Sequence, residues 1–186
     1  QDYGNETDDF IAFGVTNEPA EKVTVTNISF MGSKTVAKGC DTQVNVSTSS
    51  TTLRKIEVHF SPDGSDEWIP SCEANKKAIW GSDFLGTCHI SGLTIYDKFG
   101  RSSYIDQETL KSSGINTDNL TLECKSFNDC LTSRKAEGIT EVEIGGQFSS
   151  DQTYIIPEGM TANSDYIYLE DNTTLQVSGT LLIRER

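Results

Sequence analysis

Five cysteines, Cys40, Cys72, Cys88, Cys124 and Cys130, are the most reactive side chains in this sequence. As thiolates, cysteines attack electrophiles or bind metals, and in pairs they form disulfides. No two of them form a C-x-x-C pair, and the only histidines are His59 and His89, so zinc-ligand spacings are absent. A catalytic thiol needs an activating base, and two isolated histidines give thin support for one. An odd count fits two bridges and one buried, inert thiol. Cys124 and Cys130 flank Lys125-Ser126-Phe127-Asn128-Asp129, a stretch short enough for a local loop bridge, and that pairing is expected.

Two further groups can bind rather than react. Asp63, Asp66 and Glu67 cluster in a turn and can offer oxygens to calcium. Their spacing matches no EF-hand loop, so a solvated acidic turn is the simpler reading. The aromatics Trp68, Trp80 and Tyr96 can form a sugar-stacking platform, although strand aromatics more often fill a core. Asn5, Asn27, Asn45, Asn119 and Asn172 each begin an N-x-Ser/Thr triplet, a pattern that arises by chance in a chain rich in Ser and Thr. No Gly-x-Ser-x-Gly, H-E-x-x-H, P-loop or dinucleotide fingerprint is present. The sequence therefore gives no catalytic residue, and no cofactor is expected beyond the calcium option.

Composition narrows the partners. The chain has 186 residues, with 28 acidic against 15 basic side chains and a formal net charge of -13. Such an excess excludes nucleic acid as a natural partner, because phosphate neutralisation requires clustered Lys and Arg. It also disfavours an anionic membrane surface. No apolar run approaches the roughly 18 to 20 residues that span a bilayer. The polar start, Gln1 to Asp9, reads as a mature N-terminus after removal of a signal, with a lipid anchor on a removed residue as an alternative.

The elements that must position these residues are strands. Ile56, Val58 and Phe60 alternate with Lys55, Glu57 and His59, the clearest period-two run in the chain. Val44 and Val46 alternate in the same way, and Cys40 shares their parity, which puts it on the inner face. Ser61-Pro62-Asp63-Gly64 is a turn, and Thr87 to Tyr96 is a long strand closed by Asp97-Lys98-Phe99-Gly100. One helix is expected, capped by Asp106, with Glu108 in its first turn, Lys111 in its last and Gly114 as its stop. Many short strands with one short helix favour a β-sandwich.

The run Gly86-Thr87-Cys88-His89-Ile90-Ser91-Gly92-Leu93-Thr94-Ile95-Tyr96-Asp97-Lys98-Phe99-Gly100, followed by Tyr104 and Ile105, resembles the penultimate strand region of bacterial Ig-like domains. Val36 to Gly39 with Val44 and Val46 resembles the entry into their second strand. Cys88 stands where that family commonly has Tyr, and Arg101 where it commonly has Asn. The resemblance covers roughly residues 22–124 and implies an extracellular module of a surface protein or adhesin. It also implies an inter-sheet bridge between Cys40 and Cys88, with Cys72 to Cys88 as the competing pair. In that topology His59 and His89 occupy neighbouring strands with both rings outward, as solvated side chains or as a weak divalent-metal pair.

The C-terminal part has a different texture. Val142 and Ile144, Tyr154 to Ile156, Tyr166 to Leu169, Leu175 and Val177, and Leu181 to Ile183 recur at intervals of about a dozen residues or less. Ile155-Ile156-Pro157-Glu158-Gly159 and Leu175-Gln176-Val177-Ser178-Gly179-Thr180-Leu181-Leu182-Ile183 resemble rungs of the parallel β-solenoids of bacterial surface proteins. An antiparallel hairpin set is the alternative. A segment this short struggles to bury a core by itself, so it must lean on a neighbour.

The expected architecture is all-β: an N-terminal extension (1–21), an Ig-like sandwich (22–124), a linker loop (125–138) and a solenoid-like segment (139–186). The expected function is a non-catalytic module of a secreted or surface-anchored bacterial protein, acting in adhesion, binding or spacing on an extracellular protein or glycan. A carbohydrate-binding module is the alternative, and a fragment of a polysaccharide-active enzyme is a more distant one.

Overall fold

A computed structural model describes residues 22–65 and 67–184; the N-terminal extension and Asp66 lie outside them. Strands dominate, and the protein is all-β. In chain order they are β1 (Val25–Phe30), β2 (Thr35–Val36), β3 (Asp41–Thr42), β4 (Val44–Thr48), β5 (Leu53–Pro62), β6 (Ile69–Glu73), β7 (Ala78–Ile79), β8 (Gly86–Asp97), β9 (Ser102–Asp106) and β10 (Thr121–Cys124). Helix α1 (Gln107–Ser112) lies between β9 and β10, and α2 (Phe127–Ala136) follows β10.

β1 and β4 form an antiparallel pair. The opposing sheet runs β2-β10-β8-β5-β6, and β9 adds to the far half of β8. Val25, Ile28, Val44 and Val46 from the first layer share one core with Ile56, Val58, Phe60, Ile90, Leu93, Ile95 and Leu122 from the second. The alternation in β5 places Ile56, Val58 and Phe60 inward as expected, with Phe60 fully buried edge-on to Trp80 at 5.5 Å. Burying so many branched and aromatic side chains at roughly 1.5–3 kcal/mol each is what holds the two layers together. Helix α1 begins where expected: the Asp106 carboxylate accepts the Thr109 N–H at 2.8 Å, and Gly114 past its end takes φ +87°.

The expected linker loop is instead the second helix. Ser126 caps α2 by accepting the Asp129 N–H at 3.2 Å, and Phe127, Cys130, Leu131 and Arg134 fall on one buried stripe. That i, i+3, i+4, i+7 spacing is the helical signature, which the short Ser/Lys/Asp-rich stretch masks.

After α2 the chain winds as a rising three-sided coil. The first turn holds β11 (Glu141–Glu143), β12 (Gln147–Phe148) and β13 (Thr153–Ile156); the second holds β14 (Thr161–Ser164), β15 (Tyr168–Leu169) and β16 (Thr174–Val177); β17 (Thr180–Ile183) opens a third. All the pairings are parallel: β11-β14-β17, β12-β15 and β13-β16. The antiparallel alternative is thus overturned. Val142 opposes Ala162, Tyr154 opposes Leu175, and Ala162 opposes Leu181, so one turn takes 19 to 21 residues and three short strands. The dozen-residue spacing in the sequence skipped a side: Val142 lies on β11 and Tyr154 on β13, with β12 between them.

The coil does not bury its core alone. Phe127, Cys130 and Leu131 of α2, together with Ala37 and Cys40 from the corner between β2 and β3, pack among Val142, Ile144, Phe148, Ile156 and Met160. Gly145 N–H donates to Gly39 O at 2.7 Å, and Cys40 bridges Ile144. The sandwich corner and α2 together close the first turn.

Candidate functional site

The outer face of the large sheet carries the side chains that alternate away from the core. On β5 these are Lys55, Glu57 and His59; opposite them on β8 are Tyr96, Thr94 and Gly92; beyond, on β9, stand Ser102, Tyr104 and Asp106. Trp68, just before β6, folds over this face. Its indole stacks on the His59 ring with centroids 4.3 Å apart and planes 15° from parallel, and lies 5.3 Å from the Tyr104 ring. Trp68 is 54% exposed and Tyr104 47%, while His59 beneath them is buried at 6%. Two large aromatic faces are therefore held open to solvent on a rigid sheet.

Gly92 makes the close approach possible. A Cβ there would lie 2.4 Å from the Tyr104 hydroxyl and 2.6 Å from the Ile105 carbonyl oxygen. Without it, Tyr104 lies across β8 and donates its hydroxyl to Ser91 O at 3.2 Å. His59 is fixed by its Nε2 contact with Thr94 Oγ1 at 2.7 Å. Burial lowers the His59 pKa from its ordinary value, with the Glu57 charge opposing, so the ring under Trp68 is neutral at pH 7.

Polar groups continue the face along β5. Lys55 pairs with the Glu57 carboxylate, and the Tyr96 hydroxyl donates to the other carboxylate oxygen at 3.0 Å. The Lys55 hydrogen bond is the main cause that holds the Glu57 carboxyl below its usual range. Glu57 is thus an ionised, pre-oriented acceptor at the end of an aromatic strip. From His59 to Lys55 the strip runs about 13 Å.

The sequence candidates divide. Trp68 lies on this face as a platform requires, and Tyr96 sits at its polar end. Trp80 does not: it is buried at 1%, packed on Phe60 in the sandwich core. Sequence reasoning missed Tyr104 and Glu57 as site residues, although their parity along β9 and β5 already placed them outward. Of the calcium trio, two residues are described. Asp63 turns to His89, Oδ1 to Nδ1 at 3.2 Å, Glu67 is exposed, and Asp66 lies outside the described residues. Among the described residues no group of three His, Cys, Asp or Glu side chains is placed to hold a metal ion. His59 and His89 both leave the core side of their strands, but each is engaged separately.

The cysteines are all buried thiols with neighbours other than those expected. Cys88 Sγ is 3.4 Å from Cys124 Sγ, and Cys40 and Cys130 lie buried in the same cluster where the sandwich corner meets the coil. The local Cys124–Cys130 pairing and the Cys40–Cys88 pairing are therefore not those the fold brings together. α2 is the reason, because it carries Cys130 away from the end of β10 and into the coil core.

Comparison with known proteins finds no matching family model, no matching characterised protein and no matching solved structure. Among the described residues no helix is long and apolar enough to cross a membrane.

Proposed function

We propose that this chain is a non-catalytic binding module of a secreted or surface-anchored protein, with the sandwich presenting the ligand face and the parallel coil acting as a solenoid-like support. The observation that carries the reading is the pair of exposed rings, Trp68 and Tyr104, fixed side by side over a buried His59. Exposed aromatics that are held rigidly present binding area at little conformational cost. The ligand class that fits is a neutral polysaccharide. Its sugar rings offer C–H faces to the two aromatics, and their hydroxyls meet the Glu57 carboxylate and its Lys55 and Tyr96 neighbours. The chain's charge of -13 disfavours an anionic polymer. The bacterial Ig-like resemblance of residues 22–124 supports the same setting of adhesion or surface attachment.

Affinity electrophoresis against a panel of neutral polysaccharides tests the reading. Retardation by at least one polymer is expected, falling at least tenfold in affinity with Trp68→Ala or Tyr104→Ala while circular dichroism stays unchanged. If no glycan retards the wild-type chain, the spacing reading replaces it.

A further inference from the structure

Four of the five cysteines meet in two buried pairs. Cys88 on β8 faces Leu122 across the antiparallel ladder, so Cys124, two residues further along β10, is its diagonal neighbour on the same inward face. Both are buried, at 0% and 3%, and their sulfurs stand 3.4 Å apart. Cys40, at the corner between β2 and β3, and Cys130, on α2, are both at 0% and belong to the same buried cluster. Cys72, opposite Val58 on β6, is the fifth.

We propose that Cys88 with Cys124, and Cys40 with Cys130, are the two disulfide-forming pairs of this protein, and that Cys72 remains a thiol. The Cys88–Cys124 bond, at an S–S length of about 2.05 Å, forms between sulfurs that already stand 3.4 Å apart. The protein pays little in lost hydrogen bonds. Cys130 Sγ donates weakly to Thr35 O at 3.6 Å, but that carbonyl keeps the Arg134 Nη2 and Nε donors at 2.8 and 3.1 Å.

The two bonds do different jobs. Cys88–Cys124 ties adjacent strands of the large sheet, closing a loop that includes β9 and α1. Cys40–Cys130 ties the sandwich corner to α2, the helix that completes the coil core. A short coil with a shared core is the kind of element that gains from a staple. Oxidation balances by thiol–disulfide exchange. Each pair gives up two protons and two electrons as its S–S bond forms, and the disulfide of a thiol oxidoreductase takes them up to become a dithiol. The exchange belongs to folding, before the sulfurs are buried. Burial pushes the Cys72 thiol up to about 12, which keeps it protonated and inert afterwards.

The test is peptide mapping of the intact chain folded in an oxidising glutathione buffer and alkylated without reductant. Trypsin cuts after Lys38, Arg54, Lys76, Lys98, Lys111, Lys125 and Arg134, which puts every cysteine on its own peptide, Cys124 and Cys130 included. The expected result is the peptide 112–125 linked to that holding Cys88, the peptide 126–134 linked to 39–54, and alkylation of Cys72 alone. A Cys124–Cys130 or Cys40–Cys88 link would overturn the pairing. Alkylation of all five cysteines after folding in that buffer would overturn the proposal altogether.

Discussion

The Arg134 guanidinium of α2 and the Asp41 carboxylate of β3 form an ion pair buried at the joint between sandwich and coil, with side chains 5% and 10% exposed. Arg134 also donates to the carbonyl oxygens of Thr35 and Asp41, so one planar fork ties the helix to the β2–β3 corner. Removing the arginine strands the carboxylate in a site built for its partner. Arg134→Ala is expected to cost about 3–5 kcal/mol in urea unfolding. Replacing both residues, Arg134→Met with Asp41→Leu, should restore part of that loss. A double variant no more stable than the single one would show that the pair does not act as a unit.

Asn128 on α2 is a substitute for a missing strand. Its side-chain oxygen accepts the Ile155 N–H at 2.8 Å and its amide donates to Thr153 O at 2.9 Å. Those are the backbone groups of β13 on the side opposite β16, which another rung would otherwise satisfy. Asn128→Ala should cost about 1–3 kcal/mol and speed hydrogen exchange first at Ile155. Asn128→Asp keeps the acceptor but loses the donor, and should fall between the two. Unchanged exchange at Ile155 would remove the capping role.

Gly92 offers a test of the aromatic face that substitutes none of its aromatic residues. A methyl group there collides with the Tyr104 hydroxyl and with a backbone oxygen, so Tyr104 must leave its position across β8. Gly92→Ala is expected to weaken polysaccharide binding about as much as Tyr104→Ala does, and to cut the near-ultraviolet dichroism of the cluster. Binding at the wild-type level in Gly92→Ala would mean that the position of Tyr104 does not matter to the ligand.

The sandwich strands were legible because each has one wet face. Ile56, Val58 and Phe60 against Lys55, Glu57 and His59 spell out both the strand and its orientation, and Asp106 to Gly114 spell out α1. α2 was hidden for a physical reason. Its buried stripe ends in Arg134, which does not count as apolar in a periodicity reading, although Ser126 followed by Asp129 is a start signal. The aromatic face was half legible. Period two set Glu57 and His59 outward, but nothing local says that Trp68 folds back over β5, because that contact depends on the β5–β6 register. The same limit applies to the cysteines, whose partners are fixed by the β8–β10 ladder and by α2 rather than by spacing along the chain.

His59 makes the aromatic face sensitive to acid in a direction that can be worked out. Burial under Trp68 and Tyr104 disfavours the imidazolium, while the Glu57 charge on the same face favours it less strongly, and the net pKa is lowered from the ordinary 6.5. The unfolded chain therefore binds a proton at a pH where the folded chain still excludes it. Stability rises with pH wherever the unfolded state holds more protons, so this contribution is complete above about pH 6.5 and declines as pH falls from there toward the folded pKa. Glu57 does not offset the loss in that window, because the Lys55 hydrogen bond lowers its own pKa and keeps it ionised well below it. The wild-type chain should thus lose stability between pH 7 and pH 5 relative to His59→Gln, which keeps a hydrogen bond to Thr94 but has no proton to gain. Polysaccharide affinity should fall at lower pH than stability does, once the folded ring itself takes up a proton and disturbs the Trp68 stack, while His59→Gln stays flat. Parallel urea-unfolding profiles for the two proteins would show that folding leaves the His59 pKa unshifted, and parallel binding profiles would show that its protonation does not reach the ligand face; together they would remove His59 from the account of the site.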